Sequence, residues 1–382
     1  MKILVLCYEY PPVGGGGGRV AKQIAEGLVK RGHDVKILTG GISSLEKREL
    51  QNGIEIHRVT AFRRTMDTCS VPEMGLWLLF SASKALRLIR AWRPDVLHVH
   101  FAVPTGALAL FLHTFTRTPY LLTTHLGDVP GGVPEQTDKL FRWVKPFTIP
   151  IWKKAAAISA VSSHVAKLGA AAYGVKPHIL LNGISFDEKN PARRRESTKE
   201  LRVLFVGRLS TQKNPLLAIE AIAKTQNTRL DMIGDGPLRK DAEAHVEKLD
   251  LQDRIHFHGW QSAESVQGFL QQSDVFLLTS LHEGLPVAAL EALAVGLPLV
   301  STDIPGIWDV IENEKNGFLR QATPEALAEA LQQLENNAAL RKKFSQASLE
   351  RREHFQLEKI IQGYESVLEK ITLSGRLLYI KK

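Results

Sequence analysis

Short apolar runs alternate along most of the chain with longer segments whose apolar residues recur at helical spacing. The run Lys2–Cys7 predicts a strand, and the segment Arg19–Arg31 predicts a helix with Val20, Ile24 and Leu28 on one side. Similar pairs of a short apolar run and a helical segment follow through the rest of the sequence. Strands that alternate with helices form parallel sheets covered on both faces. The pattern therefore predicts an α/β protein.

The alternation is interrupted by the polar, basic stretch Asp187–Glu200 and resumes with Arg202–Gly207. We interpret this stretch as an interdomain linker, although a solvated surface loop has the same composition. A length of 382 residues suits two α/β domains better than one core. The predicted fold is two Rossmann-like doubly wound domains, over residues 1–190 and 200–360, facing a central cleft. We expect a terminal helix, about 360–382, to pack back on the first domain.

The composition, with 44% hydrophobic and 23% charged residues, is that of a globular enzyme. The first apolar run, Ile3–Cys7, is followed by Glu9 and is too short for a signal peptide or a membrane span. Cys7 and Cys69 are the only cysteines, which favours a reducing compartment over a disulfide framework. We therefore expect a cytoplasmic protein.

The net charge of +9 is concentrated in the first half of the chain. Residues 1–190 contain 24 Lys and Arg against 14 Asp and Glu, a net of +10, and the remainder contains 25 against 26, a net of −1. Nucleic acid is disfavoured because aromatic residues are few and are not interleaved with the basic ones. An anionic membrane, bound at its inner face, or a phosphate-bearing acceptor fits the charge better. Three segments also mix aromatic residues with cations, as at a membrane surface: Ala61–Arg64, Trp143–Lys145 and Trp152–Lys154. The plain alternative is a set of solvated helix faces without a partner.

Five glycines, Gly14–Gly18, lie between the first predicted strand and helix. Glycines there allow backbone N–H groups to approach a phosphate at a helix N-terminus, where the dipole favours negative charge. The spacing Gly16-x-Gly18-x-x-Ala21 also fits the dinucleotide fingerprint. However, nine residues separate Cys7 from Gly17, and the second strand ends Leu38-Thr39-Gly40, without the acidic residue that binds a ribose. A nicotinamide cofactor is therefore disfavoured, and a flexible linker is the competing interpretation.

Two cations follow the predicted strand Arg202–Gly207. Arg208 and Lys213 lie on the side of the sheet where ligands bind, and together they can clamp a diphosphate. A departing nucleoside diphosphate gains negative charge in the transition state, so fixed cations lower the barrier. An ordinary surface loop with two cations is the alternative.

Two carboxylates, Glu283 and Glu291, are separated by seven residues. Pro286 suits the first turn of a helix, which places Glu283 in the preceding loop and Glu291 within the helix. An ionised carboxylate can accept hydrogen bonds from two vicinal hydroxyls of a sugar or a ribose, and N–H groups at the helix start can receive phosphate oxygens. The alternative is one carboxylate that complements the helix dipole and one surface carboxylate.

Four motifs together resemble one family. They are the glycine run, Gly207-Arg208 with Lys213-Asn214, Gly234-Asp235-Gly236-Pro237, and Glu283-x7-Glu291. In their order and spacing they are similar to the GT-B retaining glycosyltransferases of family 4, from Lys2 to the final helices. The resemblance implies a hexosyltransferase in polysaccharide biosynthesis. Its donor would be a UDP- or GDP-linked sugar, a nucleotide diphosphate-sugar, and its acceptor a glycan or a lipid-linked precursor.

The resemblance also implies roles for individual residues. Glu291 would bind the ribose hydroxyls and Glu283 the hydroxyls of the transferred sugar, while Arg208 and Lys213 would bind the diphosphate. His125 would lie near the donor sugar, with a surface histidine as the alternative. Backbone N–H groups would assist at Gly15, Gly16, Gly284, Leu285 and Val287, and the glycine run leaves open which of its members contacts phosphate.

The sequence contains no Asp-x-Asp pair, so the metal that such a pair holds in the other main glycosyltransferase fold is not implied. It also shows no obvious carboxylate nucleophile for a two-step retaining reaction. The resemblance implies instead a front-face mechanism, in which the leaving phosphate assists deprotonation of the acceptor. Two alternatives stay open: a nucleotide-sugar epimerase on the same fold, and a sugar-nucleotide-binding protein without catalysis.

Overall fold

The structure is a computed structural model that describes residues 1–60, 62–63, 69–186 and 200–380, without the side chains of 136–140 and 375–380. The chain divides into two compact units. Unit 1 contains Met1–Asn182 and Glu358–Lys382, and unit 2 contains Gly183–Leu357. Each unit has its own mostly parallel sheet, which confirms the predicted α/β class with two Rossmann-like halves. The predicted linker lies outside the described residues, except for Glu200.

The elements of the described residues are numbered here in chain order. The strands are β1 Lys2–Cys7, β2 Asp34–Gly41, β3 Arg48–Gln51, β4 Ile54–Thr60, β5 Val96–His100, β6 Tyr120–Thr124, β7 Ala157–Ala160, β8 His178–Ile179, β9 Leu201–Val206, β10 Thr228–Ile233, β11 Ile255–Phe257, β12 Val275–Leu278, β13 Leu299–Thr302 and β14 Gly317–Arg320. The helices are α1 Gly16–Lys30, α2 Val71–Trp92, α3 Ala107–Thr116, α4 Pro134–Lys154, α5 Ser163–Tyr173, α6 Pro215–Ala223, α7 Arg239–Lys248, α8 Ala263–Gln272, α9 Val287–Ala294, α10 Pro324–Asn336, α11 Ala338–Arg351 and α12 Leu357–Ile380.

The sheet of unit 1 has the strand order β3-β4-β2-β1-β5-β6-β7-β8, and β3 is the antiparallel strand at its edge. The chain runs outward from β1 to β2 in one direction and from β5 through β8 in the other. Because parallel crossovers are right-handed, this reversal places α1 on one face and α2, α3, α4 and α5 on the opposite face. The loops after β1 and β5 therefore meet at the switch point, where doubly wound sheets bind ligands.

The two faces of the unit 1 sheet differ in their side chains. Leu97 and Val99 of β5 contribute to the apolar core under α2 to α5. The alternate residues His98 and His100 point to the other face, where the ring of His98 lies 5.3 Å from that of Tyr364 in α12. This alternation follows from the period of two residues in a strand.

The sheet of unit 2 has the order β11-β10-β9-β12-β13-β14, and every pair is parallel. The chain again reverses direction, between β9 and β12, so the loops that follow these two strands lie side by side at the switch point. Helix α10 packs against α6 over one face of this sheet, around a core that includes Leu217, Ile222 and Leu331. The reversal of the sheet thereby brings together the loops after β9 and β12, which are about 70 residues apart in the sequence.

The structure differs from the sequence-based elements at the helix ends and sheet edges. Helix α1 begins at Gly16, inside the glycine run, rather than at Arg19. The edge strand β3 has mostly exposed polar side chains and pairs through its backbone, so it produces no apolar run. No helix in the described part of the chain has the length and apolar character needed to span a bilayer.

Candidate active site

Hydrogen bonds join the loops after β9 and β12 in unit 2. The N–H of Leu281 donates to the carbonyl of Gln212 at 2.8 Å, and the Gln212 amide donates to the carbonyl of His282 at 2.9 Å. The hydroxyl of Thr279 donates to the carbonyl of Lys213 at 2.9 Å. These bonds hold the two loops in one register, so that side chains from each loop can meet.

Lys213 and Glu283 form an ion pair where the two loops meet. Lys213 Nζ lies 2.5 Å from Glu283 Oε1, and the same oxygen accepts a hydrogen bond of 2.6 Å from the Ser280 hydroxyl. Glu283 is only 6% exposed, and a buried carboxylate requires a partner of this kind. A Cβ on Gly306 would lie 1.7 Å from the carbonyl oxygen of Glu283, so only glycine fits beside it. The predicted sugar-binding carboxylate is thus held rigidly beside one of the two predicted diphosphate cations.

Arg208 is half-buried on the same loop as Lys213, directly after β9. The neighbouring loop after β10 supports this segment, because the N–H of Leu209 donates to the carbonyl of Asp235 at 2.9 Å. Gly234 has a φ of 131°, and a Cβ there would lie 2.0 Å from the carbonyl oxygen of Gly207. The motif Gly234-Asp235-Gly236-Pro237 therefore supports the backbone that presents Arg208.

Helix α9 begins at Val287, with Pro286 as its N-cap residue. A proline side chain cannot accept a hydrogen bond, so it does not cap the N–H groups of the first turn, and these groups favour an anion. Gly284 and Leu285 lie in the loop just before this N-terminus, and Glu291 lies half-buried within the helix. The predicted residues after β12 therefore surround one helix N-terminus.

In unit 1, His125 directly follows β6 and is held from several sides. Its N–H donates to Asp128 Oδ2 at 2.7 Å, while Asp128 Oδ1 accepts the N–H of Ala102 at 2.7 Å. The ring of Phe101 stacks on the imidazole with centroids 4.4 Å apart, and His100 Nδ1 lies 3.4 Å from His125 Nε2. Asp128 thereby ties the loop after β6 to the loop after β5.

Burial determines the protonation of this cluster. It lowers the pKa of His125 to about 4 and that of His98 to about 3, and it lowers the pKa of His100 well below its ordinary value. Burial also raises the pKa of Asp128 to about 7, despite the backbone N–H groups that donate to its carboxylate. His125 is therefore neutral at neutral pH, with one ring nitrogen that donates and one that accepts.

The glycine run approaches His125 at its fourth member, Gly17. A Cβ on Gly17 would lie 2.5 Å from Phe101 Cζ and 3.4 Å from His125 Nδ1, whereas one on Gly15 would meet no atom within 4 Å. The N–H of Gly15 donates to Glu9 Oε2 at 3.3 Å. Sequence reasoning missed Glu9, whose position between Tyr8 and Tyr10 carries no motif, although its carboxylate lies near the helix N-terminus where an anion was expected.

Two family models match the chain, one over most of each unit. The model described as Glycosyl transferases group 1 matches residues 186–351, and the one described as Glycosyltransferase Family 4 matches residues 14–188. The chain belongs to the group 1 glycosyltransferases. It is therefore a transferase enzyme, and the predicted glycosyltransferase family is confirmed.

Relatives of this glycosyltransferase match it over nearly their whole lengths. N-acetyl-alpha-D-glucosaminyl L-malate synthase of Bacillus anthracis is 27% identical over 386 residues, which cover 96% of each chain. Sucrose-phosphate synthase of Thermosynechococcus elongatus has a TM-score of 0.82 at 20% identity and covers 100% of both chains. Anabaena HepE in complex with UDP and glucose has a TM-score of 0.79 at 18% identity, over 97% of this chain and 100% of that chain. The two structures show a shared GT-B fold.

The aromatic and basic segments of this glycosyltransferase lie in different environments. Trp152 is buried and stacks on Tyr173 with centroids 4.3 Å apart, so it belongs to the core rather than to a surface. Trp143, in contrast, is 77% exposed. Arg63 is buried, 3.7 Å from Glu9, and Arg64 lies outside the described residues.

Proposed function

We propose that this glycosyltransferase moves a hexose from a UDP- or GDP-linked sugar to a glycan or lipid-linked acceptor, with retention of the anomeric configuration. The observation that carries the proposal is the ion pair of Lys213 and Glu283 at the switch point of unit 2. It places a cation beside an acceptor of hydroxyl hydrogen bonds, which suits a donor that has a diphosphate next to a sugar. The structure of HepE with UDP and glucose supports the same class of donor.

In this proposal the residues of unit 2 bind the donor. Arg208 presents a planar guanidinium and Lys213 a compact ammonium to the diphosphate. The ammonium has three donors, so it can bind a phosphate oxygen while it remains bonded to Glu283. Glu283 then accepts hydrogen bonds from hydroxyls of the transferred sugar, and Glu291 accepts hydrogen bonds from the ribose hydroxyls. The N–H groups of Gly284, Leu285 and Val287 add partial positive charge at the start of α9.

The residues of unit 1 complete the proposed set. A neutral His125 can donate one hydrogen bond to an oxygen of the donor sugar without adding a charge. The N–H of Gly15 already donates to Glu9, so Gly16 is the better candidate for a phosphate contact within the glycine run. This assignment narrows a choice that the five consecutive glycines leave open.

The reaction implied by the family resemblance takes place on one face of the sugar. The bond between the anomeric carbon and the diphosphate oxygen breaks, and its electron pair stays on that oxygen. The acceptor hydroxyl forms the new bond from the same face and transfers its proton to the leaving phosphate. Arg208, Lys213 and the N-terminus of α9 stabilise the charge that develops on the leaving group, and this is the main catalytic contribution that we assign to the protein.

We also propose that the enzyme acts at the cytoplasmic face of a membrane. Cys7 and Cys69 are free thiols, as a reducing compartment requires, and residues 1–190 have a net charge of +10. An anionic surface attracts a protein with this asymmetry of charge.

A donor screen tests the proposed reaction. The purified protein is incubated with UDP-, GDP-, ADP- and TDP-sugars, and the release of nucleotide and the anomeric configuration of the sugar are measured. We expect release from a UDP- or GDP-sugar with retained configuration. An inverted product would contradict the proposed stereochemistry. A new nucleotide-sugar without released nucleotide would favour the epimerase, and binding without turnover would favour a non-catalytic protein.

A further inference from the structure

One surface of unit 1 contains an unusual excess of positive charge. Residues 96–127 and 139–186 contain no Asp or Glu, and the second segment contains seven Lys and Arg. These segments include α3, α5 and the part of α4 that follows Asp138, and the three helices lie on the same face of the sheet. Charged residues of both signs are normally interspersed on a protein surface. Apart from Glu135 and Asp138 near the start of α4, these three helices contain no carboxylate, so their surface is suited to an anionic partner.

Helix α4 presents a row of apolar side chains to solvent on this surface. Trp143 and Phe147 are each 77% exposed and lie one helical turn apart, and Pro146 and Pro150 are exposed beside and beyond them. We call these four residues the α4 stripe. Lys153 and Lys154 follow in the last turn and are exposed as well. The two prolines also weaken the helix, because each lacks the N–H that an intrahelical hydrogen bond needs, so helix stability does not explain the stripe.

The neighbouring helices extend this apolar surface. Of the large hydrophobic side chains that are exposed in the described ranges, half lie on α2, α3 and α4, including Phe80, Phe111 and Phe115. Helix α3 packs against both α2 and α4. Single exposed hydrophobic residues are common, but a group of them on adjacent helices indicates a docking surface.

We infer that the α4 stripe docks on an anionic lipid bilayer, with its rings at the membrane interface and with Arg142, Lys153 and Lys154 at the headgroup phosphates. Trp and other aromatic side chains are favoured at that interface, and Lys and Arg beside them are attracted to anionic headgroups. A soluble phosphate-bearing acceptor would explain the cations but not the exposed rings. The inference deepens the proposed membrane location and lipid-linked acceptor, and it does not depend on the donor chemistry.

Co-sedimentation of the full chain with vesicles tests this docking without any donor. Vesicles that contain phosphatidylglycerol are compared with pure phosphatidylcholine vesicles, at low and at high salt. We expect binding to the anionic vesicles that weakens as salt rises, because screening shortens the range of the attraction. Protein that stays in the supernatant with anionic vesicles at low salt, or that binds neutral vesicles equally well, would overturn the inference.

Two double variants locate the docking surface. Lys153→Gln with Lys154→Gln should lower the partition coefficient about 30-fold, at about 1 kcal/mol for each basic residue near the surface. Trp143→Ser with Phe147→Ser should lower it by roughly tenfold or more, because the rings no longer enter the interface. The matched controls in unit 2 are Lys342→Gln with Lys343→Gln, an exposed pair on α11, and Trp260→Ser, at a tryptophan that is 63% exposed. We expect both controls to bind as the wild type does.

Further measurements separate this inference from the proposed function. Thermal melting and UDP and GDP affinity are measured for every variant, and lost vesicle binding with unchanged nucleotide affinity supports docking by the stripe. Vesicle binding by a wild type that binds neither nucleotide would contradict the proposed function but not the docking. Double variants of α4 that bind vesicles as the wild type does would overturn the inference. The inference would also be overturned if the wild type is a dimer that does not bind vesicles and the Trp143→Ser, Phe147→Ser variant is a monomer.

Discussion

Lys213→Met tests the ion pair on which the proposed function rests. The substitution keeps a long, flexible side chain but removes the cation that lies 2.5 Å from Glu283. Hydrogen bonds to charged groups contribute about 1.5–3 kcal/mol, so we expect UDP or GDP to bind roughly 10- to 150-fold more weakly.

The same substitution should destabilise the fold, because it leaves the Glu283 carboxylate buried without its cation. Losing one partner of a fully buried pair costs about 3–5 kcal/mol, and we expect less here, about 2 kcal/mol, because the Lys213 side chain is 21% exposed. Adding Glu283→Gln should recover much of the stability, since the amide needs no cation and its oxygen can still accept the hydrogen bond from Ser280. It should not recover nucleotide affinity, because the diphosphate still lacks Lys213.

Calorimetric titration with UDP and GDP and urea denaturation measure the two effects separately. Lys224→Met is the matched control, because Lys224 is an exposed lysine of the same unit that pairs with Glu325 on the surface. The diphosphate assignment would be refuted by wild-type nucleotide affinity in Lys213→Met. The sugar assignment of Glu283 would be refuted if Glu283→Gln alone weakened nucleotide binding as much as Lys213→Met does.

Three further predictions follow from the site. Glu291→Ala should weaken nucleotide binding roughly 10- to 150-fold. Calorimetry should also show that the mutant no longer distinguishes a ribonucleotide from its 2′-deoxy analogue, and retained discrimination would contradict the ribose assignment. Activity should survive saturating EDTA, because Arg208, Lys213 and the start of α9 meet the diphosphate charge, and a complete loss that Mg²⁺ restores would refute this account. Burial lowers the pKa of His98 to about 3 and that of His125 to about 4, from 6.5 when exposed. Below pH 6.5 the unfolded state therefore binds more protons than the folded state, and the free energy of unfolding should fall as the pH drops from about 6.5 to 4. The raised pKa of Asp128, about 7, offsets part of this fall. In His98→Asn the free energy of unfolding, measured by urea denaturation at each pH, should depend less on pH, and an unchanged pH dependence would count against the buried neutral histidine.

The sequence by itself determined the α/β class, the alternation of strands and helices, and the local placement of the two carboxylates Glu283 and Glu291. Glu283 lies in a loop and Glu291 in a helix because Pro286 marks the boundary between them, and this information is contained within nine residues. The excess of positive charge in the first half is likewise a property of composition. Such features could be predicted because they depend on neighbouring residues.

The contacts that make the site depend on distant residues, and only the tertiary structure decided them. Lys213 meets Glu283 because the sheet of unit 2 reverses between β9 and β12, which brings residues 70 positions apart into contact. Glu9 reaches the N–H of Gly15 because the chain folds back after β1, and no local pattern indicates it.

Helix α4 shows the same limit at the surface. Trp143 and Trp152 both lie beside cations in the sequence, yet the first is exposed and the second is buried against Tyr173. The two tryptophans are nine residues apart, on opposite sides of the helix, and each has apolar neighbours, so the sequence alone does not show which of them faces the sheet. Packing against α3 and α5 decides that side, because burying one tryptophan in the core leaves the other on the opposite face of the helix.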